Sequence, residues 1–464
     1  MLKKINLKFF LIFSFIVSIS YFLIRTILYE LNTSFVIDLE SFLFIIYILF
    51  SGFNFAKSLS SDGISLRVMY WYFALLFLGI PPFVQHVTGL WRFSFNESYI
   101  IWTQLLLFFS HLIFIYSYNS VKSIKLSKNL ELNNYTISFK KIQVLTILLT
   151  VVTILSLIFI GFSPSESIVR KFFGYSFSPI ENILEFLIRP LFFINFLFLI
   201  LFYKNGIKRK NYFIFALLMF FNVLIVIGPF SGARSIIFFL YFGLAVILIP
   251  PSSKNSLIYF GLLIIGVFGS FIQTELRNNF TDGSEISTFN SNYMLQGHFD
   301  GFENLCHLQE FVSTDGITWG NQLLGVVFFY IPRSIWQSKP IGTGEFLGWE
   351  FLSRNNYLEW ANFGMPLQGE AFINFHIVGI AFLFFILGKV CSYWDKKYLH
   401  LENYNIINKN SNKYISFRKE LILYPISLGV LFFTLRGDLL TATSFGIGLL
   451  SSFYLTYFLV AKKI

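Results

Sequence analysis

The chain has 464 residues, of which 55% are hydrophobic and 13% are charged, and its mean hydropathy is +0.67. Soluble domains carry roughly 25% charged residues, so this composition excludes a cytosolic enzyme. It also excludes a disordered or nucleic-acid-binding protein, despite 35 basic and 24 acidic side chains that give a net charge of +11. Most apolar residues occur in blocks long enough to cross a hydrocarbon core of about 30 Å. The sequence therefore predicts a polytopic membrane protein.

We predict an all-α fold, with about twelve transmembrane helices in a single integral membrane domain that covers residues 1–464. The first block follows a basic N-terminal segment and lacks an A-x-A-like cleavage site, so we interpret it as a span and not as a removable signal. The predicted spans are 9–29, 35–56, 68–88, 98–118, 142–162, 183–203, 211–229, 235–250, 255–273, 367–389, 420–435 and 440–461.

The short connections between these spans differ in their lysine content. Lysine is frequent before residue 9, in 119–141 and after residue 461, but is rare in alternate connections such as 89–97 and 230–234. Because cytoplasmic loops carry the excess of Lys and Arg, the bias predicts cytoplasmic N- and C-termini in a bacterial inner (plasma) membrane.

One connection, residues 274–366, is far longer than the others and is predicted to be extracytoplasmic. It has mixed polarity and many aromatic residues, and loops of this length are usually functional. Its apolar centre, residues 321–332, is too short to span the bilayer, so we expect it to lie in the interface or to fold back into the bundle.

Cations on the predicted outer side are mostly arginine. The ten residues are Arg92, Arg170, Lys171, Arg189, Arg234, Arg277, Arg333, Lys339, Arg354 and Arg436. Arginine binds phosphates and carboxylates through a planar fork of donors, so this bias favours a phosphorylated ligand. Arginine also anchors helices at the membrane interface, which is the simpler alternative.

The segment YIPRSIWQSKPIGTGEFLGWEF, residues 330–351, combines several groups that suit a phosphorylated or glycosylated ligand. Arg333 and Lys339 supply positive charge, Glu345 supplies a carboxylate, and Trp336 offers an apolar face on which a sugar ring stacks. The alternative is a structured interfacial loop held by its own tryptophans and prolines.

Three motifs together resemble the Wzy-type O-antigen or oligosaccharide repeat-unit polymerases. The motifs are HFDGFENL (298–305), IPRSIWQSKPIGTG (331–344) and GEAFINFHIVG (369–379). Arg333 and Gly344 fit an arginine-to-glycine spacing found in loops of that family. Arg234 does not, since Ala245 stands where the glycine is expected. The resemblance implies a GT-C-like membrane glycosyltransferase architecture. It also implies a polymerase of polyprenyl-pyrophosphate-linked repeat units that requires neither metal nor cofactor and works in some cases with a chain-length regulator.

Such a reaction needs cations for the lipid pyrophosphate and a base for the acceptor hydroxyl. The candidate pyrophosphate or glycan ligands are Arg234, Arg277, Arg333, Lys339, Arg436 and Trp336. The candidate bases are His298, Asp300, Glu345 and Glu370. For Glu370 the alternative is a helix-start carboxylate that is favoured by the helix dipole.

Other interpretations remain open. A lipid-linked oligosaccharide flippase or transporter would have a similar number of spans, and an O-antigen ligase would share the donor chemistry. The pair Asp38 and Glu40 resembles the catalytic motif of other polyprenyl-dependent glycosyltransferases, and its alternative is a charged entry to the second span. A metal site from His298, Asp300 and His307 fits no standard ligand spacing.

The topology prediction is tested with reporter fusions. A fusion after residue 300 should have extracytoplasmic activity, and fusions within 119–141 and after residue 464 should be active only in the cytoplasm. Cytoplasmic activity of the fusion after residue 300 would contradict both the orientation and the site prediction.

Overall fold

The computed structural model describes eleven stretches of the chain. They are residues 7–30, 38–91, 93–122, 135–161, 179–204, 210–227, 242–282, 299–355, 363–402, 414–416 and 419–463. These stretches are mostly helical, as the sequence predicts. Among the predicted site residues, His298 and Arg234 lie outside the described residues.

The helices in chain order are α1 (Leu7–Glu30), α2 (Leu39–Asp62), α3 (Leu66–Leu78), α4 (Ile80–Thr88), α5 (Ser98–Ser120), α6 (Phe139–Ile160), α7 (Pro179–Lys204), α8 (Lys210–Ile227), α9 (Ser256–Asp282), α10 (Gly301–Asp315), α11 (Asn321–Val327), α12 (Thr343–Asn355), α13 (Leu367–Glu402), α14 (Glu420–Arg436) and α15 (Leu439–Val460). A short 3-10 turn, Ser253–Asn255, precedes α9, and residues 242–248 are also helical.

Seven helices of the described part are long and apolar enough to cross a membrane. They are Leu39–Asp62, Leu66–Thr88, Ser98–Ser120, Phe139–Phe159, Leu187–Lys204, Leu367–Leu399 and Leu439–Val460. Shorter apolar helices cover Leu7–Phe22, Phe213–Ile227 and Ser253–Gly269. The mostly helical structure with these candidate spans agrees with the predicted all-α polytopic membrane protein, while the count of twelve spans and the large extracytoplasmic loop stay predictions.

The α3–α4 span lies at the centre of the bundle. In its most apolar window, 89% of the residues are buried inside the protein, which is the largest buried share among the seven spans. Tyr70 of α3 stacks on Phe114 of α5 with ring centroids 3.6 Å apart. The hydroxyl groups of Tyr47 and Tyr70 lie within hydrogen-bond distance of the two ring nitrogens of His111. The intramembrane His111 is thus paired on both sides within the core.

Three short strands form an antiparallel sheet that the sequence analysis does not predict. They are β1 (Tyr135–Ser138), β2 (Tyr414–Ser416) and β3 (Ala461–Lys463), in the order β2-β1-β3. All three lie in segments that the lysine bias assigns to the cytoplasmic side. The sheet therefore joins the start of α6, the approach to α14 and the end of α15.

Helix α13 contains the predicted span 367–389. The helix is longer than that span and is broken near its N-terminal end. Phe375 (φ −145°, ψ 23°) and His376 (φ 54°, ψ −145°) interrupt the helical geometry. The carbonyl of Ile373, left without its helical partner by the break, accepts from the N–H of Thr318 at 2.9 Å.

The predicted long loop also has structure of its own, because α9 continues to Asp282 and the segment contains α10, α11 and α12.

Asp395 lies on α13 about twenty residues after the break and connects that helix to α3, α5 and α14. Its carboxylate accepts from the N–H groups of Leu66 and Arg67 at 2.8 and 3.2 Å. The same carboxylate accepts from the hydroxyls of Tyr118 and Tyr424 at 2.8 and 2.6 Å. Because Asp395 is 1% exposed, four donors from α3, α5 and α14 are satisfied by one buried group.

Replacing Asp395 with Ala should destabilise the protein by several kcal/mol, since a bond to a charged group contributes about 1.5–3 kcal/mol and the buried donors lose their acceptor. The measurement is thermal unfolding of the purified protein in detergent. The control is Glu420→Ala, which removes a partly exposed ion pair to Lys397 (2.9 Å) that is worth about 1 kcal/mol at most. Equal losses in both variants would contradict this role for Asp395.

Candidate functional site

Three segments that are distant in the sequence meet at Glu370. This residue lies in the first turn of α13 and is 1% exposed. One carboxylate oxygen accepts from the Thr343 hydroxyl at 2.5 Å, and the other accepts from the N–H of Leu439 at 2.9 Å. Glu370 thus joins the start of α12 and the start of α15 to the start of α13.

Asp438 lies beside Glu370, in the turn between α14 and α15. Aspartate is a preferred N-cap, and its Oδ1 accepts from the N–H of Leu440 at 2.7 Å and of Thr441 at 3.4 Å. A Cβ atom on Gly342 would lie 1.7 Å from Oδ2 of Asp438, so only glycine fits this position. The backbone at the start of α12 therefore lies directly on the Asp438 carboxylate.

The third carboxylate of this cluster is Glu345, in the first turn of α12. Glu345 is half-buried, whereas Asp438 is 7% exposed. Burial raises the pKa of Asp438 above its usual range, and the negative charge of Glu345 raises it further against the opposing effect of the backbone N–H groups. Of the three carboxylates, Glu345 is the one that reaches the surface.

Asp300 and the backbone of Arg436 both lie near Gly364, at the edge of the same cluster, because the neighbouring Phe363 donates its N–H to the carbonyl of Gly344 in α12 at 3.3 Å. A Cβ on Gly364 would be 3.4 Å from the carbonyl oxygen of Arg436 and 3.8 Å from Oδ1 of Asp300. Asp300 is 4% exposed at the start of α10, and Asn304 on the next turn donates to the Gly364 carbonyl at 3.0 Å. The guanidinium of Arg436 lies over the ring of Phe77, 5.4 Å from its centroid.

The other predicted cations bind their own loop. Arg333 is exposed and donates to the carbonyl of Lys339 at 2.7 Å. Lys339 donates to the carbonyls of Phe329 and Ile331 at 2.6 and 3.1 Å, and Trp336 donates to Ser338 at 3.1 Å. Burial lowers the pKa of Lys339, and the charge of Arg333 lowers it further. These contacts fix the fold of the segment between α11 and α12.

The predicted site residues therefore fall into three groups. Asp300, Glu345, Glu370 and Arg436 come together, whereas Arg333, Lys339 and Trp336 form the neighbouring loop. The backbone of Arg277 belongs to α9, and its side chain lies outside the described part of the chain, as His298 and Arg234 do. Sequence analysis missed Asp438, Thr343 and Gly342. For Asp438, an N-cap aspartate directly before the apolar run of α15 was the available signal.

A second polar cluster lies at the start of α2. Asp38, Glu40 and His86 place one potential ligand atom each within 4.8 Å of one another, and Nε2 of His86 is 3.1 Å from Oδ2 of Asp38. Burial acts to raise the pKa of Asp38, but hydrogen bonds from Ser41 and from His86 lower it overall. Among the described residues this is the group whose spacing suits a metal ion. His307, by contrast, faces Glu303 at 3.7 Å.

Comparisons of the chain with models of protein families, with curated proteins and with solved structures give no match.

Replacing Gly342 with Ala should destabilise the protein, because the new methyl group overlaps the Asp438 carboxylate. Overpacking of this kind costs about 1–3 kcal/mol, and thermal unfolding in detergent measures it. The matched control is Gly261→Ala in α9, where a Cβ would meet no heavy atom of the described residues within 4 Å. If Gly342→Ala unfolds at the same temperature as the Gly261 variant, the close approach of Gly342 and Asp438 is wrong.

Proposed function

We propose that this chain is a membrane glycosyltransferase that polymerises polyprenyl-pyrophosphate-linked oligosaccharide repeat units at the outer face of a bacterial inner membrane. One observation carries the proposal. The three motifs that resemble repeat-unit polymerases contain Asp300, Thr343 and Glu370, and Glu345 directly follows the second motif. Thr343 donates to Glu370, and Asp300 lies at the edge of the same cluster. Three motifs that are distant in the sequence thus contribute to one group of acidic residues, as a shared site requires.

The reaction forms a glycosidic bond between an acceptor hydroxyl oxygen and the anomeric carbon of the donor. The bond from that carbon to the pyrophosphate breaks, and its electron pair leaves with the lipid pyrophosphate. The hydroxyl proton goes to a carboxylate within hydrogen-bond reach. Glu345 suits this role, because it is the carboxylate of the cluster that reaches the surface.

Glu370 and Asp438 act on this reaction as positioning residues. Glu370 accepts from Thr343, two residues before Glu345, and Asp438 lies against Gly342. Together they fix the backbone from which Glu345 projects. We assign to Arg436, two residues before Asp438, the stabilisation of the charge that develops on the leaving pyrophosphate.

The break in α13 favours a transporter as the second candidate function. Discontinuous helices often form the substrate site of secondary transporters, and a flippase of lipid-linked oligosaccharides would use one. The two functions differ in their products, since a flippase moves repeat units across the membrane without joining them.

Deleting the chain should leave single repeat units on the surface glycan in place of a ladder of lengths, as seen by gel electrophoresis. Glu345→Gln should give the same short product, because removal of a general base costs about 10²–10⁴ in rate. The matched control is Glu350→Gln on the same helix, which should keep the full ladder.

The protein level of each variant in the membrane is measured in parallel. A deletion strain that still makes long chains would falsify the polymerase proposal. Absence of repeat units outside the membrane would support the flippase instead, and accumulation of long polymer on the carrier lipid would support a ligase.

A further inference from the structure

A groove of about 500 Å³ runs between α5, α10 and α13. Its walls are mainly apolar. They are formed by Trp102, Leu105, Phe109, Val312, Phe372 and Ile377. The groove is open along one side, so it can accept a long chain without enclosing it.

The open side of the groove continues into the membrane-facing surface of two candidate spans. On α5, Trp102 is 63% exposed and Leu112, one heptad below Leu105, is 58% exposed. On α13, Val378 is 74% and Phe382 is 68% exposed. Because lipid covers such apolar faces of membrane-spanning helices, a hydrocarbon chain in the bilayer reaches the groove from the side.

Polar groups line one part of the groove. The hydroxyl groups of Tyr99 and Ser313 are 2.7 Å apart, and Gln309 donates to Thr103 at 2.6 Å. His376, at the break of α13, is exposed and contributes to the lining. The groove therefore suits a ligand with a long apolar chain and a polar head. A purely apolar surface would not select such a ligand over other lipids.

The position of the groove relative to the carboxylates indicates which lipid it holds. Phe372 lines the groove, and Glu370 lies two residues earlier, about 200° around the same helix. A helix with its side chains is about 10 Å across, so the groove lies behind the carboxylate cluster. A donor must place its pyrophosphate at the cluster. An acceptor reacts at the sugar most distant from its lipid, so its lipid belongs farther away.

We propose that this groove binds the isoprenoid chain of the acceptor, the lipid-linked repeat unit that receives the growing glycan. The assignment rests on the proposed function, which supplies the carrier lipid. Leu105, Phe109 and Phe372 contact the chain, while the polar groups at Tyr99, Ser313 and Gln309 face the head of the lipid.

The test uses the full chain in lipid nanodiscs with two photoreactive probes, a diazirine-bearing polyprenyl phosphate and a diazirine-bearing phosphatidylglycerol. We expect the polyprenyl probe to label peptides of α5 and α13 that line the groove. Leu105→Trp should lower this labelling about tenfold, the loss expected when roughly two buried methylene groups are displaced. The matched control Leu112→Trp changes an exposed leucine on the same face of α5 outside the groove, and it should label normally.

Equal labelling by the phospholipid probe, or equal loss in the Leu112 variant, would overturn the proposal, because the groove would then be an ordinary lipid contact. Labelling requires no glycosyl transfer, so it is independent of whether the chain is a polymerase. A steady-state measurement then separates acceptor from donor. Leu105→Trp should raise the KM for a long-chain acceptor and leave the KM for the donor unchanged, and the reverse pattern would overturn the acceptor assignment.

Discussion

The described fold depends on carboxylates that accept hydrogen bonds from the first N–H groups of helices. A helix begins with N–H groups that lack partners within the helix, and water is scarce inside a membrane bundle. Asp395 accepts from the start of α3, and Glu370 accepts from the start of α15. Asp438 caps α15 itself, and Asp38 caps α2. Since Asp395 and Glu370 both belong to α13, the acidic residues of this one helix accept from the starts of two others, α3 and α15.

The same constraint brings the candidate site together. Glu370 is buried because it must reach Leu439 at the start of α15, and the interaction brings Asp438 next to it. Thr343 then satisfies the second oxygen of Glu370, which sets the start of α12 and the position of Glu345. The buried acids therefore have a structural cause of their own. Glu345 differs from them, because it is the acid of the cluster that reaches the surface.

The sequence predicted the features of the fold and site that depend on local patterns of residues. Apolar blocks gave the helices, and Glu370, Asp300 and Glu345 were selected from motifs. The approach of Thr343 and Asp438 to Glu370 could not be predicted, since they are 27 residues before and 68 residues after it, and nothing in hydropathy encodes that pairing. The break at Phe375 and His376 was missed because neither residue is glycine or proline. Its signal is Gly379, where a Cβ would lie 2.2 Å from the carbonyl oxygen of Ala371. The three short strands were not predicted, because they lie in polar segments outside the apolar blocks.

The arginine bias on the predicted outer side has more than one physical cause. Arg333 is exposed and donates to a backbone carbonyl of its own loop, a contact that a lysine ammonium also makes. Arg436 is different, because its guanidinium lies over the ring of Phe77, 5.4 Å from the ring centroid. Phe77 in turn stacks on Phe299, next to Asp300, at 5.2 Å. A planar cation on an aromatic ring keeps its edge donors directed away from that ring. The position of Arg436 is therefore set by an aromatic ring, whereas Arg333, which belongs to the more conspicuous sequence motif, is bonded to a backbone carbonyl of its own loop.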